Sequence, residues 1–119
     1  MTERRLPSDP KPHFRAHLFL CTNRRPPGHP IGSCFDRGAM ELAEAMRNIF
    51  KDMNLDDSRA NTSGCLGRCD KGPVMVVYPE GVWYAPRTPA DVEEVLKTHL
   101  AGNGRVTRLL VPADPPPAE

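Results

Sequence analysis

Four cysteines, Cys21, Cys34, Cys65 and Cys69, are the residues of this chain best suited to chemistry. A cysteine acts as a nucleophile or metal ligand in its thiolate form, and positive neighbours lower its pKa. Arg24, Arg25, Arg37, Arg68 and Lys71 all lie close in sequence to one of the four. Gly64, Gly67 and Gly72 flank the second pair, where the lack of a Cβ lets backbone N–H groups approach sulfur. Three chemistries are open to such a set. An iron–sulfur centre uses four thiolates and is net negative, which suits the nearby cations and glycines. A structural zinc site also uses four thiolates, but zinc modules place Cys-x2–4-Cys at both knuckles. Here the first pair is Cys21-x12-Cys34. Thiols or disulfides of the thioredoxin type need Cys-x-x-Cys, which is absent.

The elements that must position these cysteines follow from the apolar pattern. Residues 16–20, Ala-His-Leu-Phe-Leu, read as a buried strand ending at Cys21. Pro26-Pro27-Gly28 and Pro30 then exclude helix and sheet. A helix is expected from near Ser33–Asp36 to about Met53, which places Cys34 near its positive N-terminal end. Ala39, Leu42, Ala43, Met46, Ile49, Phe50 and Met53 build its apolar face. Residues 58–63 form a polar candidate strand leading to Cys65, and residues 74–78 form an apolar one. Pro79-Glu80-Gly81 turns the latter into a hairpin with Val82-Trp83-Tyr84. Thr88 as N-cap, Pro89 at the first position and Asp91 as capping-box acid open a second helix, with Val92, Val95, Leu96 and Leu100 as its buried stripe. Gly102 is expected to stop it, and residues 105–111 to end the domain with a short extended piece, Leu109-Leu110-Val111.

A crossover helix between the first two strands makes them parallel. Cys21 and Cys65 then follow strand ends on the same edge of the sheet, the edge where open α/β sheets bind ligands. Cys34 and Cys69 fall at that edge too. Pattern alone thus brings the four thiols to one place.

With 119 residues the chain has room for one domain. The proline-bearing segments 1–13 and 112–119 lack apolar groups to offset ordering and are expected to be disordered tails around a domain of residues 14–111. Lys plus Arg number 16 and Asp plus Glu 15, a balance that argues against nucleic acid. The apolar runs fall short of the roughly 20 residues that span a membrane, and no secretory pattern follows the N-terminal arginines. The expected location is the cytoplasm, where persistent disulfides are rare.

The motifs resemble those of the thioredoxin-fold 2Fe–2S ferredoxins. The resemblance rests on Leu18-Phe19-Leu20-Cys21-Thr22-Asn23, the Cys-x12-Cys gap, Gly64-Cys65-Leu66-Gly67-Arg68-Cys69, Gly72-Pro73-Val74 leading into the hairpin, and Thr88-Pro89-Ala90-Asp91-Val92 through His99-Leu100. It covers about residues 15–111. It implies an α/β fold, a thioredoxin-like mixed sheet of about four strands with two main helices. It further implies a 2Fe–2S cluster on Cys21, Cys34, Cys65 and Cys69, a homodimer, and one-electron transfer to redox protein partners rather than enzymatic turnover. A cluster-bearing sensor or cluster-transfer partner, or a zinc-stabilised interaction domain, are the alternatives. His29 reads as a loop residue, because four cysteines suffice without it. His17 and His99 read as a strand residue and a helix-end residue. Met40, Met46 and Met53 are expected beneath the first helix, and Glu41, Glu44 and Glu80 on solvated faces. Of Trp83 and Tyr84, one is expected to face the core.

Overall fold

The computed structural model describes residues 6–23, 38–64, 66 and 73–112. Strand β1 (Ala16–Cys21) is followed by helix α1 (Ala39–Met53), then by β2 (Ser58–Ser63), β3 (Met75–Tyr78) and β4 (Val82–Tyr84). Helix α2 (Pro89–Val95) continues into a π-helical stretch (Leu96–Ala101), and a short 3-10 turn (Thr107–Leu109) follows. The sheet order is β2-β1-β3-β4, with β1 and β2 parallel and the other pairs antiparallel. This is the mixed four-strand sheet with two main helices that the pattern implies.

Alternation along the strands separates two faces. Leu18 and Leu20 of β1, Met75 and Val77 of β3 and Tyr84 of β4 point into one core. Leu42, Ala43 and Met46 of α1 cover it, beside Val92 and Val95 of α2 and Leu96 and Leu100 of the stretch that follows. On the opposite face lie His17, Phe19, Val76, Tyr78 and Trp83, with no described helix over them. Tyr84 is thus the core-facing member of its pair, and Trp83 is half-buried on the other side.

Four expectations need correction. Helix α1 begins at Ala39, not near Ser33–Asp36. Gly38 sits at φ 92°, in the left-handed region, so a right-handed helix cannot run through it. Met40 is 44% exposed, because it falls between the positions of the buried stripe. Glu80 is not merely solvated: its carboxylate meets His99. The expected extended piece at Leu109-Leu110-Val111 is shorter than that: Leu109 closes a 3-10 turn begun at Thr107, while Leu110 is extended and bridges Tyr84 and the Val111 N–H donates to the Trp83 carbonyl.

The second helix opens as its sequence prescribes. Thr88 Oγ1 accepts from the Asp91 N–H, and Asp91 accepts from the Thr88 N–H in return. Gly102 stops the helical run by a different route from the one expected. Its φ is −99°, which any residue adopts, but a Cβ there would lie 2.9 Å from the Thr98 carbonyl oxygen. The left-handed residue is the following one, Asn103.

Candidate metal centre

Strand β1 delivers Cys21 to the edge of the sheet with no exposed surface. The Cys21 N–H donates to the Val74 carbonyl at 3.0 Å. On its other side Cys21 stands opposite Ser63, the last residue of β2. The Thr22 N–H and Oγ1–H both donate to the Ser63 carbonyl, at 3.0 and 3.2 Å. The two parallel strands are therefore clamped together one residue beyond Cys21. Cys65 follows Ser63 by two positions.

Cys34, Cys65 and Cys69 lie outside the described residues, as do Arg24, Arg25, His29, Arg37, Gly67, Arg68, Lys71 and Gly72. Described residues near each of the three in sequence do come together. Ala39 begins α1 five residues after Cys34, Leu66 adjoins Cys65, and Val74 follows Cys69 by five. Cys21, Ala39 and Val74 form one buried group, with Leu66 and Trp83 packed against it. Covalent geometry keeps Cys65 within about 3.8 Å, Cα to Cα, of Leu66. At Gly64 a Cβ would meet nothing within 4 Å, so no close backbone approach to a described atom requires glycine there.

The donor set fits a sulfur-ligated centre. Among the described residues no three His, Cys, Asp or Glu side chains gather as a metal site. The histidines of the described sheet and helices are engaged elsewhere: His17 Nε2 is 2.8 Å from Asn61 Oδ1, and both His99 nitrogens are bonded. The described side chains packed with Cys21, those of Ala39, Val74, Leu66 and Trp83, are apolar, and such a lining keeps water from sulfur, a lever on the properties of a bound metal.

A buried polar network lies away from this edge and was not foreseen. His99 is 1% exposed. Its Nε2 is 2.7 Å from Glu80 Oε2 and its Nδ1 is 2.7 Å from the Tyr84 hydroxyl. An ionised carboxylate only accepts, so with Glu80 ionised Nε2 donates to it, and in the neutral ring Nδ1 then accepts from the Tyr84 O–H. The Tyr84 oxygen accepts from the Val106 N–H at 3.3 Å. Burial pushes the Tyr84 phenol above its usual value, and the Val106 N–H offsets only part of that. A signal was present: His99 lies on the stripe of Val92, Val95 and Leu96 at helical spacing.

No protein-family model matches the sequence. Among curated proteins, the chain is 46% identical over 103 residues to a 2Fe–2S ferredoxin of Aquifex aeolicus, covering 85% of this chain and 93% of that protein. It is 39% identical over 95 residues to a 2Fe–2S ferredoxin of Clostridium pasteurianum, covering 79% and 92%. Among solved structures, the wild-type thioredoxin-like 2Fe–2S ferredoxin of Aquifex aeolicus superposes with a TM-score of 0.76 at 42% identity, covering 86% of this chain and all of that one.

Proposed function

The chain belongs to the family of thioredoxin-like 2Fe–2S ferredoxins, and from that premise we propose that Cys21, Cys34, Cys65 and Cys69 ligate one 2Fe–2S cluster in a one-electron carrier that is not an enzyme. The observation that supports the ligand assignment is the meeting of Cys21 with Ala39, Leu66 and Val74, which lie five, one and five residues in sequence from Cys34, Cys65 and Cys69.

When bound, such a cluster takes up and returns single electrons. The protein's part is to hold and shield it. The thiolates supply the ligation. The hydrogen bonds from Cys21 to Val74 and from Thr22 to Ser63 fix the backbone on both sides of one ligand, which limits rearrangement as charge changes. The apolar side chains of Ala39, Val74, Leu66 and Trp83 keep water from that ligand.

Residues 14–111 are the working domain. No helix among the described residues is long and apolar enough to cross a membrane. Cysteines kept as thiolates suit the reducing cytoplasm, which is the location proposed. The partners are redox proteins, and the protein itself pairs as a homodimer. The sheet face bearing Phe19, Trp83 and the 45% exposed Tyr78, with no described helix over it, supports that pairing, and sedimentation of the pure protein tests it.

A redox titration tests the carrier role. A reversible one-electron couple that survives repeated cycles is expected. A cluster that leaves intact for an apo-acceptor would instead assign the protein to cluster transfer.

A further inference from the structure

The sheet has two edges, and they end differently. The outer side of β4 is occupied: the Ala85 N–H donates to the Leu109 carbonyl and the Val111 N–H to the Trp83 carbonyl, each at 2.9 Å. At the outer side of β2 no described strand pairs. The Thr22 N–H bonds the Ser63 carbonyl, and Cys21 stands opposite Ser63. The alternation of a parallel ladder therefore turns the N–H and C=O of Arg59, Asn61 and Ser63 towards β1. Those of Ala60 and Thr62 point out into the open edge.

A cleft of about 340 Å³ runs along this edge, between α1 and β2. Arg47 and Lys51, one turn apart on α1, line it from one side, and Arg59 lines it from β2. All three are exposed, none forms an ion pair with a described residue, and no carboxylate lines the cleft. Met46 and Phe50 give it an apolar floor.

We infer that the outer edge of β2 is a docking site for an acidic, extended segment of a partner protein, which joins the sheet as a fifth strand. Strand addition satisfies the outward groups of Ala60 and Thr62. A strand lying about 4.8 Å from β2 sends alternate side chains to opposite faces. Those on the helix side meet Arg47 and Lys51, and those on the other meet Arg59. Carboxylates on both faces are therefore matched, and an apolar side chain on the helix side rests on Phe50. Strand β2 ends at Ser63, two residues before Cys65 in sequence, so the docked segment lies on the strand that leads into a proposed cluster ligand. That last consequence rests on the ferredoxin reading, whereas the docking edge does not.

Charges beside an edge strand also prevent self-pairing, and that role alone protects no amide. The test uses the full-length, cluster-loaded protein and a peptide of about eight residues, mostly glutamate with two central valines. At low salt, saturating peptide is expected to slow amide hydrogen exchange at Ala60 and Thr62 by at least about tenfold. Reversing Arg47, Lys51 and Arg59 together to glutamate is expected to weaken the peptide by about tenfold or more. Thr62→Pro, which removes an outward donor without breaking the ladder to β1, should weaken it as well. Absence of binding at low salt, binding that leaves Ala60 and Thr62 exchanging freely, or an affinity indifferent to charge reversal would overturn the inference. The visible spectrum of every sample reports separately on the cluster, so a failed ferredoxin reading shows as missing colour whatever the peptide does.

Discussion

Leu18 and Cys21 stand three residues apart on β1, both without exposed surface, in very different company. Leu18 lies under two helices in a core assembled from every described strand and both helices. Cys21 has Ala39 and Val74 as fully buried neighbours, with Leu66 and Trp83 only partly covered. The core has enough apolar surface to hold itself together by burial. Among the described residues the cysteine end has far fewer apolar neighbours, and on this account ligation adds to what packing supplies there. Removing the metal should therefore loosen one end of the molecule and leave the other standing.

The strongest way to break this contrast is Cys21→Ala. It should abolish the native visible spectrum while the far-ultraviolet circular dichroism keeps the helix and sheet signal. Collapse of both together would show that the core depends on the cluster. The reciprocal change, Leu18→Ala, should cost about 2–5 kcal/mol in denaturant unfolding, with the spectrum of the folded fraction unchanged. Tyr84→Phe leaves His99 Nδ1 and the Val106 N–H without their partner, at a cost of about 1–3 kcal/mol by the same measurement.

The smallest effect sits at the start of α2. Thr88→Ala removes the cap and should cost about 0.5–2 kcal/mol. The same cap carries a pH dependence. Burial pushes the Asp91 carboxyl up, but the Arg87 N–H, then the Arg108 guanidinium and the Thr88 N–H, bring it below the ordinary carboxylate value. A depressed folded-state pKa stabilises above the unfolded value of about 3.9 and is lost as pH falls through the lower, folded one. Acid unfolding of Asp91→Asn, followed by circular dichroism, should lack this part of the decline below about pH 4.

Local pattern carried most of the fold. The Ala16–Cys21 run, the apolar face of α1 and the capping box of α2 were each readable from a few neighbouring residues, and the crossover rule then made β1 and β2 parallel. The expected convergence of the cysteines on one sheet edge rests on that topology, and of the four only Cys21 lies among the described residues. What local pattern hid was of three kinds. Gly38 ends the helical reading because of its φ, while Ser33 and Asp36 upstream resemble caps and draw the helix start too early. Gly102 looked like a left-handed stop, although its small size matters only because the Thr98 carbonyl approaches it. The Glu80–His99 contact joins a hairpin turn to a helix 19 residues later, and the β2 cleft depends on strand order. No single stretch of sequence contains either.

The most direct test of the account is the visible absorption spectrum of anaerobically purified protein, followed by electron spin resonance after reduction with dithionite and by an iron and sulfide count. The account predicts a red-brown protein with iron and sulfide in equal amounts and a half-spin signal that appears on reduction. A colourless protein containing zinc, or no metal after attempted reconstitution, would contradict it.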